Sequence, residues 1–323
     1  MSGTAMSDDP APSPLVDIDL HLPDPRVGKV RVSYAWGDRA RLFVTTDRLS
    51  AFDHIIAGVP WKGQVLNELA AWWFDQTSDV VANHLVSVPD PNVTIARAAT
   101  PLPVEVVVRG HITGVTDTAL WTAYERGERT IYGHELPDGL AKNEPLPEPL
   151  ITPTTKGDAG AHDVPITCDQ VVEDGLVEAA TWERVQAAAL GLFERGVEVG
   201  CQAGLILADT KYEFGLTDDG ELLLIDEMHT PDSSRWWVAD SYEERMHRGA
   251  EPESLDKEVV RRALRDAGYD GHGDPPELPG PVWAATTARY VDAYERITGL
   301  SFVPAEYPAG PRIEAAMSRL GAP

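Results

Sequence analysis

The sequence lacks the marks of several protein classes. Its two cysteines, Cys168 and Cys201, lie far apart without metal-ligand spacing, so we expect reduced thiols and neither a disulfide framework nor a zinc site. No apolar run is long enough to span a bilayer, and the first residues do not have the pattern of a signal peptide. A Walker A loop and a GxGxxG pattern are both missing, which argues against P-loop and Rossmann sites. We therefore expect a cytoplasmic protein without membrane contacts.

Positive charge is also scarce. The chain has 27 Lys and Arg against 52 Asp and Glu, a net charge of −25 at pH 7, so long-range repulsion disfavours nucleic acid and anionic membranes as partners. Small anionic substrates remain compatible with a locally basic pocket. Lysine is the rarer cation, with 6 Lys against 21 Arg. Because an ammonium group is a compact point charge, lysines inside motifs indicate contacts to phosphate or carboxylate. Four of the six lysines, Lys29, Lys62, Lys156 and Lys211, lie in or near the motifs that are described below.

Composition along the chain predicts three parts. Residues 1–25 are rich in proline, aspartate and serine, so we expect a disordered tail. Residues 26–110 have mainly strand patterns, and residues 111–323 mix helical and strand patterns. The length and the hydrophobic content of 43% allow one large domain or two closely packed ones. The expected fold class is α+β.

The stretch over residues 204–237 has the strongest chemical signal. After an apolar run, polar side chains alternate at Asp209, Lys211 and Glu213, which places all three on one face of a strand. An Asp-Gly pair then predicts a two-residue hairpin loop, and counting in register sets Glu213 directly opposite Asp226. Two facing carboxylates are destabilising unless a lysine or a divalent cation neutralises them. The pattern therefore predicts a metal and phosphate site, with an acidic surface hairpin as the alternative.

Two motifs in the first part of the chain suggest further contacts. Gly28 and Lys29 begin a GKVR hairpin that can cover a triphosphate with backbone N–H groups and one ammonium group, although such a pair is more often only a turn. Asp47, Ser50 and Asp53 are the polar positions of TTDRLSAFD, a segment that suits either a cleft wall or a capped loop.

An arginine follows a strongly apolar strand. Residues 102–109 predict a buried strand that ends in Arg109. An isolated buried charge is very costly, so this guanidinium group needs a partner. The sequence leaves two partners open, an acid such as Glu105 and an anionic ligand.

These motifs together resemble the SAICAR synthetase (phosphoribosylaminoimidazole-succinocarboxamide synthase) family. GKVR, TTDRLSAFD, PVEVVVRG, LPEPLITPTTKGDAGAHD, ADTKYEFG and LLLIDEMHTPDSSRWW occur in the family order over about residues 27–300. The resemblance implies a small antiparallel β domain plus a larger α+β domain similar to ATP-grasp ligases, with nucleotide between them. It also implies an ATP- and Mg²⁺-dependent ligase of purine biosynthesis. This enzyme would join L-aspartate to the carboxylate of carboxyaminoimidazole ribonucleotide (CAIR) through an acyl phosphate.

The resemblance assigns roles to particular residues. Nucleotide binding falls to Gly28, Lys29, Arg31, Lys156 and Lys211, and Mg²⁺ binding to Glu213 and Asp226. Catalytic roles fall to Lys211, Asp209 and Arg235, with Asp209 and Glu227 orienting the metal pair. Substrate binding falls to Asp47, Ser50, Asp53, Lys62, Arg109, Ser233, Ser234 and Arg235.

The chain departs from the family pattern near the pocket. Val115 stands where many members have a phosphate-binding serine, so Thr116 is the candidate hydroxyl, and Val32 replaces a common aspartate. Together with His111, these changes leave open a second hypothesis. The protein would then be a paralogous ligase that uses a different azole carboxylate in nucleoside-antibiotic assembly. A noncatalytic nucleotide-binding protein is a third hypothesis, which the intact phosphate and metal residues disfavour. The sequence leaves open whether the chain forms a homo-oligomer.

Overall fold

The computed structural model describes residues 12–52, 54–116, 118–156, 164–269 and 271–321. The strands are β1 (Arg26–Val27), β2 (Arg31–Ala35), β3 (Ala40–Thr45), β4 (Arg48–Ala51), β5 (His54–Gly58), β6 (Leu85–Asp90), β7 (Val93–Arg97), β8 (Thr100–His111), β9 (Thr130–Ile131), β10 (His134–Glu135), β11 (Pro145–Thr155), β12 (Val164–Pro165), β13 (Leu205–Leu216), β14 (Leu222–Ile225) and β15 (Ser234–Val238). The helices are α1 (Lys62–Gln76), α2 (Leu120–Glu125), α3 (Cys168–Glu173), α4 (Ala179–Gln202), α5 (Ala239–His247), α6 (Glu258–Asp266), α7 (Gly280–Thr298) and α8 (Ala309–Leu320). None of the helices in these ranges is both long and apolar enough to cross a membrane.

The first part of the chain forms a five-stranded antiparallel sheet in the order β1-β2-β3-β7-β6. Its core includes Val32 and Leu42, and Ile313 of α8 packs on it from the far end of the chain. Residues 12–25 also pack here, where the sequence predicts a disordered tail. Leu15 is 7% exposed, and its backbone pairs with the backbone and carboxylate of Asp47.

The second sheet is antiparallel, in the order β12-β11-β8-β13-β14, with β15 also paired to β13. One face is apolar and packs with α1, α4 and α7 in the largest core of the chain. On β8 and β13 the even-numbered residues from Val104 to Val108, with Tyr212 and Phe214, belong to this core. The alternation of a strand therefore directs Glu105 and the other odd-numbered residues toward the opposite face.

The two sheets divide the chain at a different place from the boundary that the sequence predicts after residue 110. That boundary falls inside β8, which pairs with β11 and β13 of the second sheet over its length. The break between the two sheets lies between β7 and β8 instead.

Several helix predictions agree with the structure. The sequence pattern predicts helices over residues 64–74, 181–200 and 282–298, and these are α1, α4 and α7. Gly299 ends α7 with a φ of 70°, a left-handed conformation that glycine adopts without steric cost. Ser241 and Glu244 have the spacing of a capping box, which predicts that a helix begins there. This prediction is wrong, because α5 begins earlier, after Val238.

Candidate active site

The hairpin of β13 and β14 has a different register from the predicted one. Glu213 pairs with Ile225, not with Asp226. The Asp-Gly pair belongs to a three-residue loop, in which Gly220 has a φ of 81°, and this adds one residue to the turn. A shift of one residue exchanges the faces of a strand. Asp226 is therefore not the cross-strand partner of Glu213, and it follows β14 in a left-handed conformation with a φ of 66°.

Asp226 nevertheless lies in the electrostatic field of Glu213. Burial and the carboxylates of Glu213 and Glu227 raise the pKa of Asp226 to about 6, although the Arg31 guanidinium acts in the opposite direction. Arg31 Nη1 contacts Asp226 Oδ1, and its Nη2 lies 3.0 Å from Glu227 Oε2. The structure thus pairs Arg31 with a predicted metal ligand, where the sequence predicts a contact to nucleotide phosphate.

Three side chains form a row across the sheet, at one end of the face that lies opposite the apolar core. We call this row, which contains Arg109, Asp209 and Arg235, the arginine row. Asp209 is the register partner of both arginines, on β8 and β15. Its Oδ2 contacts Arg235 Nη1 and lies 3.6 Å from Arg109 Nη1. Arg109 also donates from Nε to Thr152 Oγ1 at 2.8 Å. Its acidic partner is therefore Asp209 and not Glu105.

A second row, the lysine row, contains Glu105, Lys211, Glu213 and Lys156. Lys211 Nζ lies 2.7 Å from Glu105 Oε1 and 2.7 Å from Glu213 Oε1, and Lys156 Nζ contacts the second oxygen of Glu213. Burial acts to raise the pKa of Glu213, but the two ammonium groups lower it to about 2. Despite its burial, Lys211 has a raised pKa because both glutamates favour its charged form. The charged forms of Glu213 and Lys211 are therefore both favoured, and the row contains two acidic and two basic side chains.

Two adjoining cavities border this face. The smaller, about 170 Å³, lies between the arginine row and the start of α6, and the larger, about 680 Å³, extends from it. They share Arg235 and Asp256. Five cationic and three acidic side chains line the smaller cavity, a positive excess in a chain with a net charge of −25. This local excess favours an anionic ligand.

Several predicted site residues line the smaller cavity. Ser234 donates to Thr210 Oγ1 at 2.7 Å, while Ser233 Oγ accepts from Thr230 N at 3.1 Å. Thr116, the candidate replacement for the missing serine, also lines this cavity, whereas Val115 lines the larger one.

Other predicted substrate residues do not line either cavity. Lys62 is buried, and its Nζ lies 2.7 Å from Asp232 Oδ2. Asp47 is buried and accepts hydrogen bonds from Gly63 N at 2.9 Å and Tyr307 Oη at 2.8 Å. In both cases the charged group has partners inside the protein. Ser50 lies in β4 and is not among the residues that line the two cavities. Asp53 lies outside the described residues.

The predicted phosphate-covering turn lies between β1 and β2. Gly28 N donates to Arg31 O at 2.8 Å, which closes the turn. The carbonyls of Gly28 and Lys29 accept from the guanidinium of Arg48 at 2.8 and 2.9 Å. Arg48, which the sequence reasoning missed, therefore holds this turn in place by these two hydrogen bonds.

The carboxylates of Glu213 and Asp226 are the candidate metal ligands. In the described ranges no group of three or more His, Cys, Asp or Glu residues could hold a metal ion. Mg²⁺ commonly takes one or two protein carboxylates and completes its six oxygens with water and substrate phosphates. Two nearby carboxylates, one with a pKa raised by burial and by its acidic neighbours, fit this kind of site.

Sequence reasoning also missed the start of α6. Asp256, Lys257 and Arg261 line the smaller cavity opposite the sheet. Lys257 is one of only six lysines, and this scarcity was a signal that could have found it.

Comparison with known proteins agrees with these features. Residues 25–276 match the SAICAR synthetase family. A putative phosphoribosylaminoimidazole-succinocarboxamide synthase 2 of Agrobacterium fabrum is 49% identical over 88% of this chain and 90% of its own length. A chloroplastic phosphoribosylaminoimidazole-succinocarboxamide synthase of Vigna aconitifolia is 56% identical over 72% of this chain and 68% of its own length. The SAICAR synthase of Saccharomyces cerevisiae, solved with SAICAR, has a TM-score of 0.76 at 32% identity and covers 88% of this chain and 98% of that chain.

The fold and the charged face define an α+β enzyme with a site for anionic substrates. With the family match over most of its length, the chain belongs to the SAICAR synthetase family.

Proposed function

We propose that this protein is an ATP-dependent ligase that joins L-aspartate to the carboxylate of CAIR, forming SAICAR, ADP and phosphate in purine biosynthesis. The observation that carries the proposal is the pair of charged rows on one sheet face, next to a cavity with excess positive charge. Relatives with this activity in their names support the choice of substrates.

The arginine row suits the 5′-phosphate of the azole ribonucleotide. Arg109 and Arg235 share a single carboxylate, Asp209, so their excess positive charge is available to an anion. A guanidinium group matches phosphate oxygens with two parallel hydrogen bonds. Ser234 and Thr116 add hydroxyl groups to the same cavity. Binding there would direct the azole carboxylate along β13 toward Lys211.

The lysine row suits phosphoryl transfer. An oxygen of the azole carboxylate would bond to the γ-phosphorus of ATP as the bond to ADP breaks, giving an acyl phosphate. Lys211 and Lys156 would stabilise the charge that develops on the transferring oxygens. Glu213 and Asp226 would hold Mg²⁺, which when bound neutralises phosphate charge. The neutral amine of aspartate would then bond to the acyl carbon and lose one proton to solvent, and phosphate would leave with the electron pair of the broken C–O bond.

A direct assay tests this function. The purified protein with ATP, Mg²⁺, L-aspartate and CAIR should form SAICAR and ADP in equal amounts, and omission of any substrate should stop the reaction. A pyrazole analogue of CAIR should be a poorer substrate. Preference for the analogue would instead favour the paralogous ligase, for which Val115 at the wall of the larger cavity is the relevant observation. Nucleotide binding without turnover would favour a noncatalytic protein.

The similarity to ATP-grasp ligases and the placement of nucleotide between the sheets remain part of this proposal, as does the turn of Gly28 and Lys29 over the triphosphate. Electron density for ADP next to that turn and the lysine row, in crystals grown with ADP, would support it. Nucleotide bound elsewhere would contradict it.

A further inference from the structure

A segment that precedes the family match packs next to the predicted phosphate-covering turn. The match covers residues 25–276, so residues 12–24 lie outside it. Leu15 O accepts from Asp47 N at 2.7 Å, and Leu15 N donates to Asp47 Oδ2 at 2.6 Å. Val16 O accepts from Arg48 Nη1 at 3.0 Å. The main chain of this segment is therefore fixed by two adjacent residues, Asp47 and Arg48.

Arg48 joins the segment to the turn. Its side chain is buried, and its guanidinium group also donates to the carbonyls of Gly28 and Lys29 at 2.8 and 2.9 Å. In the described part of the chain, every hydrogen-bond partner of this guanidinium group is a backbone carbonyl. Because the group is planar and rigid, it fixes the carbonyls of the turn relative to Val16 O. A shift of the segment would therefore be transmitted to the turn.

The carbonyls that Arg48 holds determine where the turn directs its N–H groups. In a trans peptide unit the N–H points away from the carbonyl of the same unit. Since the carbonyls of Gly28 and Lys29 point toward Arg48, the N–H groups of Lys29 and Val30 point away from it. Thr46 N holds a third carbonyl, Val30 O, at 2.9 Å. The side of the turn opposite Arg48 is thus the side on which backbone N–H groups can bind phosphate oxygens.

Asp47 anchors the segment to the rest of the fold. Its Oδ2 accepts from Tyr307 Oη at 2.8 Å as well as from Leu15 N, and its Oδ1 accepts from Gly63 N at 2.9 Å. Tyr307 also lies outside the family match, and Gly63 lies in the first turn of α1. The segment is therefore tied to a helix of the core and to the last part of the chain.

A glycine lets the segment lie close to Arg48. Gly58 is the register partner of Arg48 in the hairpin of β4 and β5. A Cβ atom at Gly58 would lie 2.6 Å from side-chain carbons of both Pro14 and Val16. The close approach of the segment thus depends on the missing side chain at this position.

We propose that residues 12–17 position the turn of Gly28 and Lys29 for the phosphates of the nucleotide, and that they act through Arg48. This inference rests on the proposed function, in which the turn covers the triphosphate. Arg48 and the segment are positioning residues, since they hold the turn from the side opposite the N–H groups that would contact phosphate.

Two variants and two ligands test this role. ADP with Mg²⁺ has phosphates for the turn to bind, and adenosine has none. Calorimetric titration, with adenosine measured by displacement, gives both affinities. Arg48→Lys keeps the charge but removes the rigid fork, and it should lose about 10- to 100-fold in ADP affinity. Gly58→Ala leaves Arg48 and the turn unchanged in sequence but displaces the segment, and it should lose about 5-fold in ADP affinity. The affinity for adenosine should stay at the wild-type value in both variants.

Two matched variants serve as controls. Gly310→Ala adds a methyl group in α8 where no atom lies within 4 Å, and Arg195→Lys changes a partly exposed arginine that pairs with Asp79. Both should retain the wild-type affinities for ADP and adenosine. Thermal unfolding of each variant establishes that it is folded.

The outcomes separate this inference from the proposed function. Wild-type ADP affinity in Gly58→Ala would refute the role of the segment, even if Arg48→Lys binds ADP weakly. Equal losses for ADP and adenosine would also refute it, because the whole nucleotide site and not the turn would then be disturbed. If the wild type forms SAICAR while both variants keep its preference for ADP over adenosine, only this inference fails. If the variants show the expected pattern but the wild type forms no SAICAR, only the proposed reaction fails.

Discussion

The arginine row and the lysine row lie on the same sheet face but balance their charges differently. In the arginine row a single carboxylate, Asp209, serves two guanidinium groups. In the lysine row Glu105 and Glu213 serve two ammonium groups. Asp209 and Glu213 are four residues apart on β13, a separation of about 13 Å along a strand. The structure thus has one row with surplus positive charge and one that is neutral.

This difference has a consequence for ligand binding. The arginine row can accept a phosphate directly, since the ligand supplies the missing negative charge. A triphosphate added to the neutral lysine row would leave excess negative charge, so an additional cation must accompany it. The acidic residue next to this row, Asp226, is the group that would attract such a cation. The two rows therefore correspond to a metal-free phosphate site and a metal-dependent one in the proposed reaction.

The largest expected effect is a loss of stability when the buried pair of Lys62 and Asp232 is broken. Asp232 lines the smaller cavity, next to the arginine row. Lys62→Met should lower the free energy of unfolding by about 3–5 kcal/mol, because it leaves the Asp232 carboxylate buried without its cation. Urea unfolding measures this change. Lys142→Met removes a partly exposed pair with Glu251 and should cost less than about 1 kcal/mol.

A double variant sharpens the interpretation of Lys62. Lys62→Met combined with Asp232→Leu removes both charges and should recover part of the lost stability, although Tyr290 loses its acceptor. Equal stability losses in the single Lys62 and Lys142 variants would show that the buried pair is not a structural support.

The second prediction tests the metal dependence of the lysine row. Glu213→Gln and Asp226→Asn should each lower kcat by about 10²–10³-fold, because each removes a carboxylate that would hold Mg²⁺ at the transferring phosphate. SAICAR formation measured over a range of Mg²⁺ concentrations should show that both variants need more Mg²⁺ than the wild type for half of their maximal rate. Glu221→Gln is the matched control, since this acid lies in the same hairpin and pairs with Arg97. Near-normal turnover in either site variant would refute the metal assignment.

Much of this face could be predicted from the sequence, because side-chain direction follows the period of a strand. The alternation at Asp209, Lys211 and Glu213 suffices to place them together. The hairpin register could not be predicted in the same way. It depends on whether the loop has two or three residues, and therefore on the backbone conformation around Gly220. The pairing of Asp226 with Arg31 spans 195 residues, and no local pattern reports such a contact.

The same reasoning explains the residues that were placed differently or missed. The resemblance assigns Lys62 to substrate binding, but its ammonium group pairs with Asp232, which is 170 residues away in sequence. Lys257 has no motif of its own, and only the fold places it at the wall of the smaller cavity. Sequence patterns identify which groups are charged, while tertiary contacts decide which charges remain for a ligand.

The third prediction tests whether the arginine row binds the azole ribonucleotide and not ATP. Arg109→Lys keeps the positive charge of the arginine row but removes the planar fork. The KM for the azole ribonucleotide should rise about 10- to 100-fold, whereas the KM for ATP should stay unchanged. Initial rates with each substrate varied in turn provide the measurement. Arg195→Lys, at a partly exposed arginine that pairs with Asp79, serves as the control. A rise confined to the KM for ATP would place Arg109 at the nucleotide instead.

The smallest effect concerns His111, which packs edge-on against Trp237 and Tyr242 beside the arginine row. Burial lowers the pKa of His111 to about 4 from an ordinary value of 6.5, although Asp209 acts in the opposite direction. Between these pH values the unfolded chain binds more protons than the folded protein, so the stability from this group is complete above pH 6.5 and is lost as the pH falls.

His111→Phe keeps the ring contacts and removes a buried nitrogen without a partner among the described residues. Urea unfolding at several pH values should therefore show a slope that is smaller by up to about 1.4 kcal/mol per pH unit than in the wild type. An unchanged slope would mean that His111 titrates normally in the folded protein, and the arginine row would then have an additional positive neighbour in mild acid.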